Sequence, residues 1–183
     1  MKLTLISDTH LTDSGDLPLN LIPILKESDL IVHAGDFVSI ECYEELKKLN
    51  NIIGVHGNLD CKELKKLLPK RVVFNIEDIS IGVIHRGQLN LQDTIGLGYL
   101  AREMEVDVLI FGHLHTPILE SIYDNILLIC PGSPTKPRMS LPCAIELIID
   151  GKDISGKIIT LGKSSCEYIN YIAKKSVNPH VPI

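Results

Sequence analysis

Tryptophan is absent from the chain, and aromatic residues of any kind make up only 4% of it. Lysine and arginine nowhere gather with aromatics between them, and the net charge is −5. A nucleic-acid grip built on a basic face or a base-stacking platform is therefore not indicated, although a local groove stays open. Long apolar runs are missing too. The longest, such as NILLICP at residues 125–131, are strand-sized and too short to cross a bilayer. The first residues, MKLTLISDTH, are apolar only briefly before Asp8, which is not the pattern of a signal peptide. No two cysteines stand at CxxC spacing, and Cys42, Cys61, Cys130, Cys143 and Cys166 are odd in number. Buried, reduced thiols in a cytoplasmic protein are expected, rather than disulfides or a zinc knuckle.

What is present suits a globular protein with a real core: 183 residues, 45% hydrophobic and 22% charged. No linker or internal repeat interrupts the chain. One domain is expected, with its core over about residues 2–161 and a tail over 162–183 that holds a short helix (166–175) and an irregular end. Short β-branched runs ending in polar loops read as strands at residues 2–7, 29–34, 52–55, 79–84 and 108–111. Helical spacing appears at residues 40–49, through Ile40, Tyr43, Leu46 and Leu49, and at residues 94–104. Pro18 and Pro23 make the first inter-strand helix short or irregular. From about Arg71 hairpins take over, with turns expected at Asp78, Asp124-Asn125 and Asp150-Gly151. A βα half followed by a hairpin-rich half implies an α/β protein of two packed mixed sheets flanked by helices, not one doubly wound sheet.

The polar residues collect where strands end, the usual place for a crevice. Five successive ends deliver Asp8-Thr9-His10, Gly35-Asp36, Gly57-Asn58-Leu59-Asp60, His85 and Gly112-His113-Leu114-His115. Any one of them is unremarkable, since an Asp after a strand usually caps a turn. Together they offer two Asp, one Asn and four His, an oxygen and nitrogen set suited to Mn, Fe, Ni, Co or Zn. Seven ligands are too many for one four-coordinate ion and suit two ions sharing a carboxylate. Alternate side chains of an extended segment point the same way, so Asp8 and His10 can address one ion. The glycines before Asp36, Asn58 and His113 let the backbone approach closely.

In this order, Asp-x-His, Gly-Asp, Gly-Asn-x-Asp, His and Gly-His-x-His resemble the calcineurin-like metallophosphoesterases, over about residues 2–161. VDVLIFGHLHTP followed by LLICPGSPTKPR is similar to the small archaeal and bacterial phosphodiesterases that share a fold with the retromer subunit Vps29. The resemblance implies a four-layer α/β/β/α sandwich and a binuclear centre. Asp8, His10, Asp36 and His115 would hold the first metal, and Asp36 would bridge to a second completed by Asn58, His85 and His113. Asp36, Asn58 and His85 would then be catalytic, with a metal-bridging hydroxide attacking a phosphodiester. Two divalent ions are implied, Mn2+ or Ni2+ first, with Mg2+, Fe2+, Co2+ or Zn2+ as alternatives.

Two departures from the family pattern matter. Arg86 stands where a glycine is common, either turned to solvent or clamping a phosphate. Leu59 stands where many relatives carry a histidine that contacts phosphate or protonates the leaving oxygen, and leucine can do neither. His56 is the nearest substitute acid. Ser133, in the Pro131-Gly132-Ser133 stretch, is expected to support a ligand at the mouth of the site, and Lys136 and Arg138 either face substrate or are simply solvated. His33 is expected to brace the metal loops, and Asp60 to cap the next helix and brace the Asn58 loop. GxGxxA at residues 96–101 lies in a helical pattern, not after a strand, and is no dinucleotide fingerprint. The partner expected is a small phosphodiester, with no membrane; a homo-oligomer stays open. The rival reading is a Vps29-like interaction scaffold that keeps its metal sites with little or no catalysis. An amidohydrolase-type centre would begin His-x-His, not Asp-x-His.

Overall fold

The computed structural model describes residues 1–12, 16–85, 94–122, 125–164, 166–175 and 181–182. The first half alternates strands and helices: β1 (Lys2–Ile6), α1 (Leu21–Glu27), β2 (Leu30–His33), α2 (Ile40–Leu49), β3 (Ile52–Gly54) and α3 (Lys62–Leu67). The second half holds β4 (Arg71–Ile76), β5 (Ile79–Ile84), α4 (Thr94–Glu103), β6 (Val108–Phe111), β7 (Pro117–Ser121), β8 (Leu127–Pro131), β9 (Cys143–Asp150), β10 (Asp153–Thr160), α5 (Glu167–Lys175) and β11 (Val181–Pro182). One sheet runs β11-β10-β9-β1-β2-β3 and the other β4-β5-β6-β8-β7. Both are mixed: β1, β2 and β3 are parallel, as are β5, β6 and β8, while β9, β10, β4 and β7 pair antiparallel.

Period-2 alternation explains the layering. In β1 and β2, Leu3, Leu5, Leu30 and Val32 join Val83, Ile110 and Ile129 of the other sheet in a core between the two sheets. The alternate residues Ile6 and Ile31 turn outward onto Leu21, Leu25, Leu46 and Leu64 of the helices on that side. On the second sheet, Leu109, Phe111 and Leu128 turn out onto Leu97 and Ala101 of α4. Three apolar layers between four structural ones give the expected α/β/β/α sandwich. Pro23 is tolerated because it falls in the first turn of α1, where its missing N–H has no intrahelical acceptor to lose.

Several expectations change in detail. The tail is not wholly irregular: after α5, β11 pairs antiparallel with β10, Val181 opposite Gly156. The Asp124 side of its expected turn and Arg86 lie outside the described residues. GxGxxA falls within α4, as the pattern indicated. All five cysteines are free. No described helix is long and apolar enough to cross a membrane.

Candidate metal centre

The loops after β1 and β2 run side by side, laced by backbone hydrogen bonds from Asp8 N–H to the Gly35 carbonyl (2.9 Å) and from His10 N–H to the Asp36 carbonyl (3.1 Å). The Gly112 N–H after β6 donates to the His85 carbonyl after β5 at 3.0 Å. Strand ends of both sheets thus open onto one crevice. There the seven residues fall into two clusters. Ligand atoms of Asp8, His10 and His115 lie within 4.8 Å of one another, and so do those of Asp36, His85 and His113. Asn58 joins the second cluster, its Oδ1 3.1 Å from His85 Nε2. Asp36 Oδ2 stands between the clusters, 3.3 Å from His85 Nε2 and 3.8 Å from His10 Nε2.

The backbone achieves this differently from the extended geometry expected. Asp8 (φ 53°), His10 (φ 46°), Asp36 (φ 60°), His113 (φ 74°) and His115 (φ 61°) all adopt left-handed backbone. Such conformations cost about 1–3 kcal/mol each and persist where surrounding structure over-determines them. Asp and His bear them better than most residues. Sharp left-handed corners, not period-2 alternation, aim each pair inward.

Buried hydrogen bonds hold those corners. The Asp60 carboxylate accepts from the N–H groups of Asp36 (3.1 Å), Val38 (2.6 Å) and Gly57 (2.6 Å). It clamps two metal loops together and does not cap α3, whose N-cap is Cys61. Ser7 Oγ and His113 N–H both donate to Asp8 Oδ2. His33 accepts from Gly35 N–H at 3.0 Å and meets Thr9 Oγ1 at 3.1 Å, and complete burial pushes its imidazole down to about 3, so it braces as a neutral ring. Ser133 is corrected from its expected substrate role. It is fully buried, and its hydroxyl donates to the Asp8 carbonyl (2.7 Å) while accepting from Lys136 N–H (2.8 Å). The bracing by Ser7, Ser133 and Thr135, which donates to the Thr9 carbonyl, escaped the sequence reading, since lone hydroxyls carry no spacing signal.

The glycines at 57 and 112 are there for proximity. A Cβ at Gly57 would lie 2.1 Å from Asp36 Oδ1, and one at Gly112 would lie 2.3 Å from Ser7 Oγ and 2.8 Å from His85 Nδ1. Gly57→Ala is therefore expected to displace Asp36, costing about 1–3 kcal/mol of stability and at least tenfold in metal affinity, read by thermal melting and by titration calorimetry.

The chemistry of the donor set asks for a cation. His85 Nδ1 lies 2.7 Å from the Ala34 carbonyl, and His115 Nδ1 lies 2.6 Å from the Lys136 carbonyl. A carbonyl only accepts, so both Nδ1 atoms carry protons and both neutral rings present a bare Nε2 to the crevice. His85 Nε2 then faces the acceptors Asn58 Oδ1 and Asp36 Oδ2. His115 Nε2 faces His10 Nε2 at 3.2 Å and Asp8 Oδ1 at 3.3 Å. Among the described residues, Asp8 Oδ1 itself is buried with no hydrogen-bond partner. Convergent lone pairs of this kind need positive charge, either protons on the imidazoles or divalent ions among them. The residues fit metals.

The titrations agree. Burial alone would raise the Asp8 carboxyl, but His10 and His115 outweigh it and hold the group well below the usual carboxylate range. Burial likewise opposes Asp36, which His85 and the Leu59 N–H bring down. His85 and His115 move up despite burial, through Asp36 and Asp8 respectively. The signs give a pH window for the metal-free protein. The raised histidines contribute stability that is complete below about 6.5 and is lost as pH climbs through their folded values. The lowered carboxylates contribute stability that is present above about 3.8 and is lost as pH falls through theirs. Melting in EDTA is expected to be highest between these values and to decline from pH 6.5 to 8.5. With Mn2+ the trend should reverse, because metal displaces those protons. Parallel pH trends with and without metal would remove this account of the cluster.

Comparison with known proteins decides the family. Residues 1–151 match the calcineurin-like phosphoesterase superfamily domain. The chain belongs to this superfamily. It is 37% identical over 172 residues to a probable metallophosphoesterase of Methanothermobacter thermautotrophicus, spanning 93% of this chain and 99% of that one. It is 36% identical over 145 residues to a phosphodiesterase of Methanocaldococcus jannaschii, spanning 72% and 83% of the two chains. The structure of vacuolar protein sorting 29 from Cryptosporidium parvum superposes with a TM-score of 0.79 at 24% identity, over 88% of this chain and 92% of that one. That last likeness shares the fold.

Proposed function

We propose that this metallophosphoesterase is a binuclear phosphodiesterase in which Asp36 bridges two divalent ions. The carrying observation is the placement of Asp36 Oδ2 between the two clusters, 3.3 Å from His85 and 3.8 Å from His10. Asp8, His10 and His115 would hold one ion, and Asn58, His85 and His113 the other. When bound, such ions supply a hydroxide nucleophile near neutral pH and neutralise phosphate oxygens. The protein's own part is orientation. Leu59 N–H fixes Asp36 Oδ1 at 2.7 Å, and the Ala34 and Lys136 carbonyls fix the ring planes of His85 and His115. The cysteines and serines close to Asp8 are not set up as nucleophiles: Cys130 and Cys143 are buried and pushed up to about 12, and Ser7 and Ser133 are spent on Asp8.

The diester preference rests on the named phosphodiesterase relative and on Leu59, which lies beside Asn58, 57% exposed, with no group to donate. A monoester dianion brings one more negative charge than a diester, and Leu59 offers it no partner. His56 is half-buried, with Nδ1 3.2 Å from the Gly57 carbonyl. It is the residue to replace first if a protein acid proves necessary. Mn2+- or Ni2+-supplemented kinetics on bis-p-nitrophenyl phosphate and p-nitrophenyl phosphate test the reading. The diester should be the better substrate, and EDTA should abolish turnover of both.

A further inference from the structure

The chain is acidic overall, yet residues 62–70, which follow the Asn58 loop, carry four lysines against one glutamate. Lys62, Lys65, Lys66 and Lys70 are all exposed. Leu64 alone is buried within α3, which directs the lysines away from the core. This basic stretch is anchored to the metal centre by two contacts. Lys65 Nζ donates to the Asn58 carbonyl at 2.8 Å, and the His56 N–H donates to the Pro69 carbonyl at 3.0 Å. Leu59 and Leu67, two large apolar side chains 57% and 55% exposed, lie among the lysines. Glu63 is the one carboxylate of the stretch, and the charges of Lys66 and Lys62 act on it. A cationic shoulder with apolar faces thus begins at the Asn58 side of the centre.

We propose that this shoulder carries the continuing strand of a short single-stranded oligonucleotide whose scissile phosphate lies at the metal centre, an inference that rests on the phosphodiesterase reading above. Lysines spaced along the shoulder suit successive phosphates, and the exposed leucines suit the apolar faces of sugar and base. The six-residue helix is only about 9 Å long, which fits a few nucleotides of one strand. With no tryptophan, and aromatics scarce, the grip is electrostatic and indifferent to sequence.

The probe is hexathymidylate with a 5′ fluorescein, followed by anisotropy with EDTA and with Mn2+, alongside its cleavage and that of bis-p-nitrophenyl phosphate. Three lysine–phosphate contacts give a salt slope of about −2, or roughly 20-fold weaker binding from 50 to 200 mM salt. The triple variant Lys62→Ser, Lys66→Ser, Lys70→Ser should bind at least tenfold more weakly and lose most of that slope. Its kcat/KM should fall far more on the oligonucleotide than on bis-p-nitrophenyl phosphate. Circular dichroism melting checks that the variant folds, and Lys70→Ser alone gives a smaller step in the same direction. Equal losses on both substrates, or binding insensitive to salt and to these substitutions, would overturn the shoulder while leaving the phosphodiesterase reading intact. If neither substrate turns over with any metal, that reading fails and the anisotropy series alone decides the shoulder.

Discussion

Asp36→Asn is expected to lower metal-dependent hydrolysis of bis-p-nitrophenyl phosphate by more than about 10³-fold, beyond the 10–100-fold that losing a supporting partner of a metal site costs. The amide keeps an acceptor for Leu59 N–H, which reaches Asp36 Oδ1 at 2.7 Å, so the loop stays in place. What disappears is the charge of Oδ2, the oxygen that faces both His85 and His10. The stability readout should move the other way. At pH 8 without metal, an amide N–H would offer the bare His85 Nε2 a donor in place of the Asp36 carboxylate, so the variant should melt no lower than wild type. Activity lost together with a large drop in melting temperature would mean that the residue is structural. The scaffold reading expects something else again: no metal form of the wild-type protein hydrolyses any phosphoester, and Asp36→Asn leaves binding to a protein partner untouched.

Leu59 carries the second large effect. General acid assistance is worth about 10²–10⁴-fold, and poor leaving groups need it most. Wild type should therefore favour aryl over alkyl diesters by a margin of about that size, with a steep dependence on leaving-group pKa. Leu59→His should flatten that dependence and raise monoesterase activity, since the side chain is exposed beside Asn58 and has room for an imidazole. The measurement is kcat/KM for both proteins across paired mono- and diesters with matched leaving groups. Alkyl monoesters handled as well as aryl diesters by the wild type would show that another residue supplies the proton, and His56→Ala would be the next comparison.

The two-sheet architecture was readable because alternation on both sheets is strong: Leu3, Leu5 and Ile6, or Leu109 and Ile110, sort cleanly to opposite faces. The seven polar residues were readable because strand ends recur in order along the chain, each with its Asp, Asn or His. The backbone that aims them was not. A left-handed conformation at His113 or Asp8 is imposed by long-range hydrogen bonds, such as His113 N–H to Asp8 Oδ2, between residues far apart in sequence. Asp60 shows the same limit. Its position just before the next helix suggested a cap, but three loop N–H groups compete for its carboxylate and win. The family resemblance placed Ser133 at the mouth of the site as a ligand contact, whereas burial commits its hydroxyl to the Asp8 carbonyl. The terminal strand escaped because two residues have no period to read; β10 recruits Val181 and Pro182 by edge pairing. The lysines after Asn58 carried no signal in the sequence, having no aromatics between them; the Lys65 and His56 contacts tie their stretch to the centre.

The central claim is that two ions share Asp36. Anomalous diffraction at the Mn and Ni absorption edges, on crystals soaked with each metal, tests it most directly. Two peaks are expected, one among Asp8, His10 and His115 and one among Asn58, His85 and His113, with Asp36 coordinating both. A single peak, or ions held elsewhere with Asp36 uncoordinated, would contradict it.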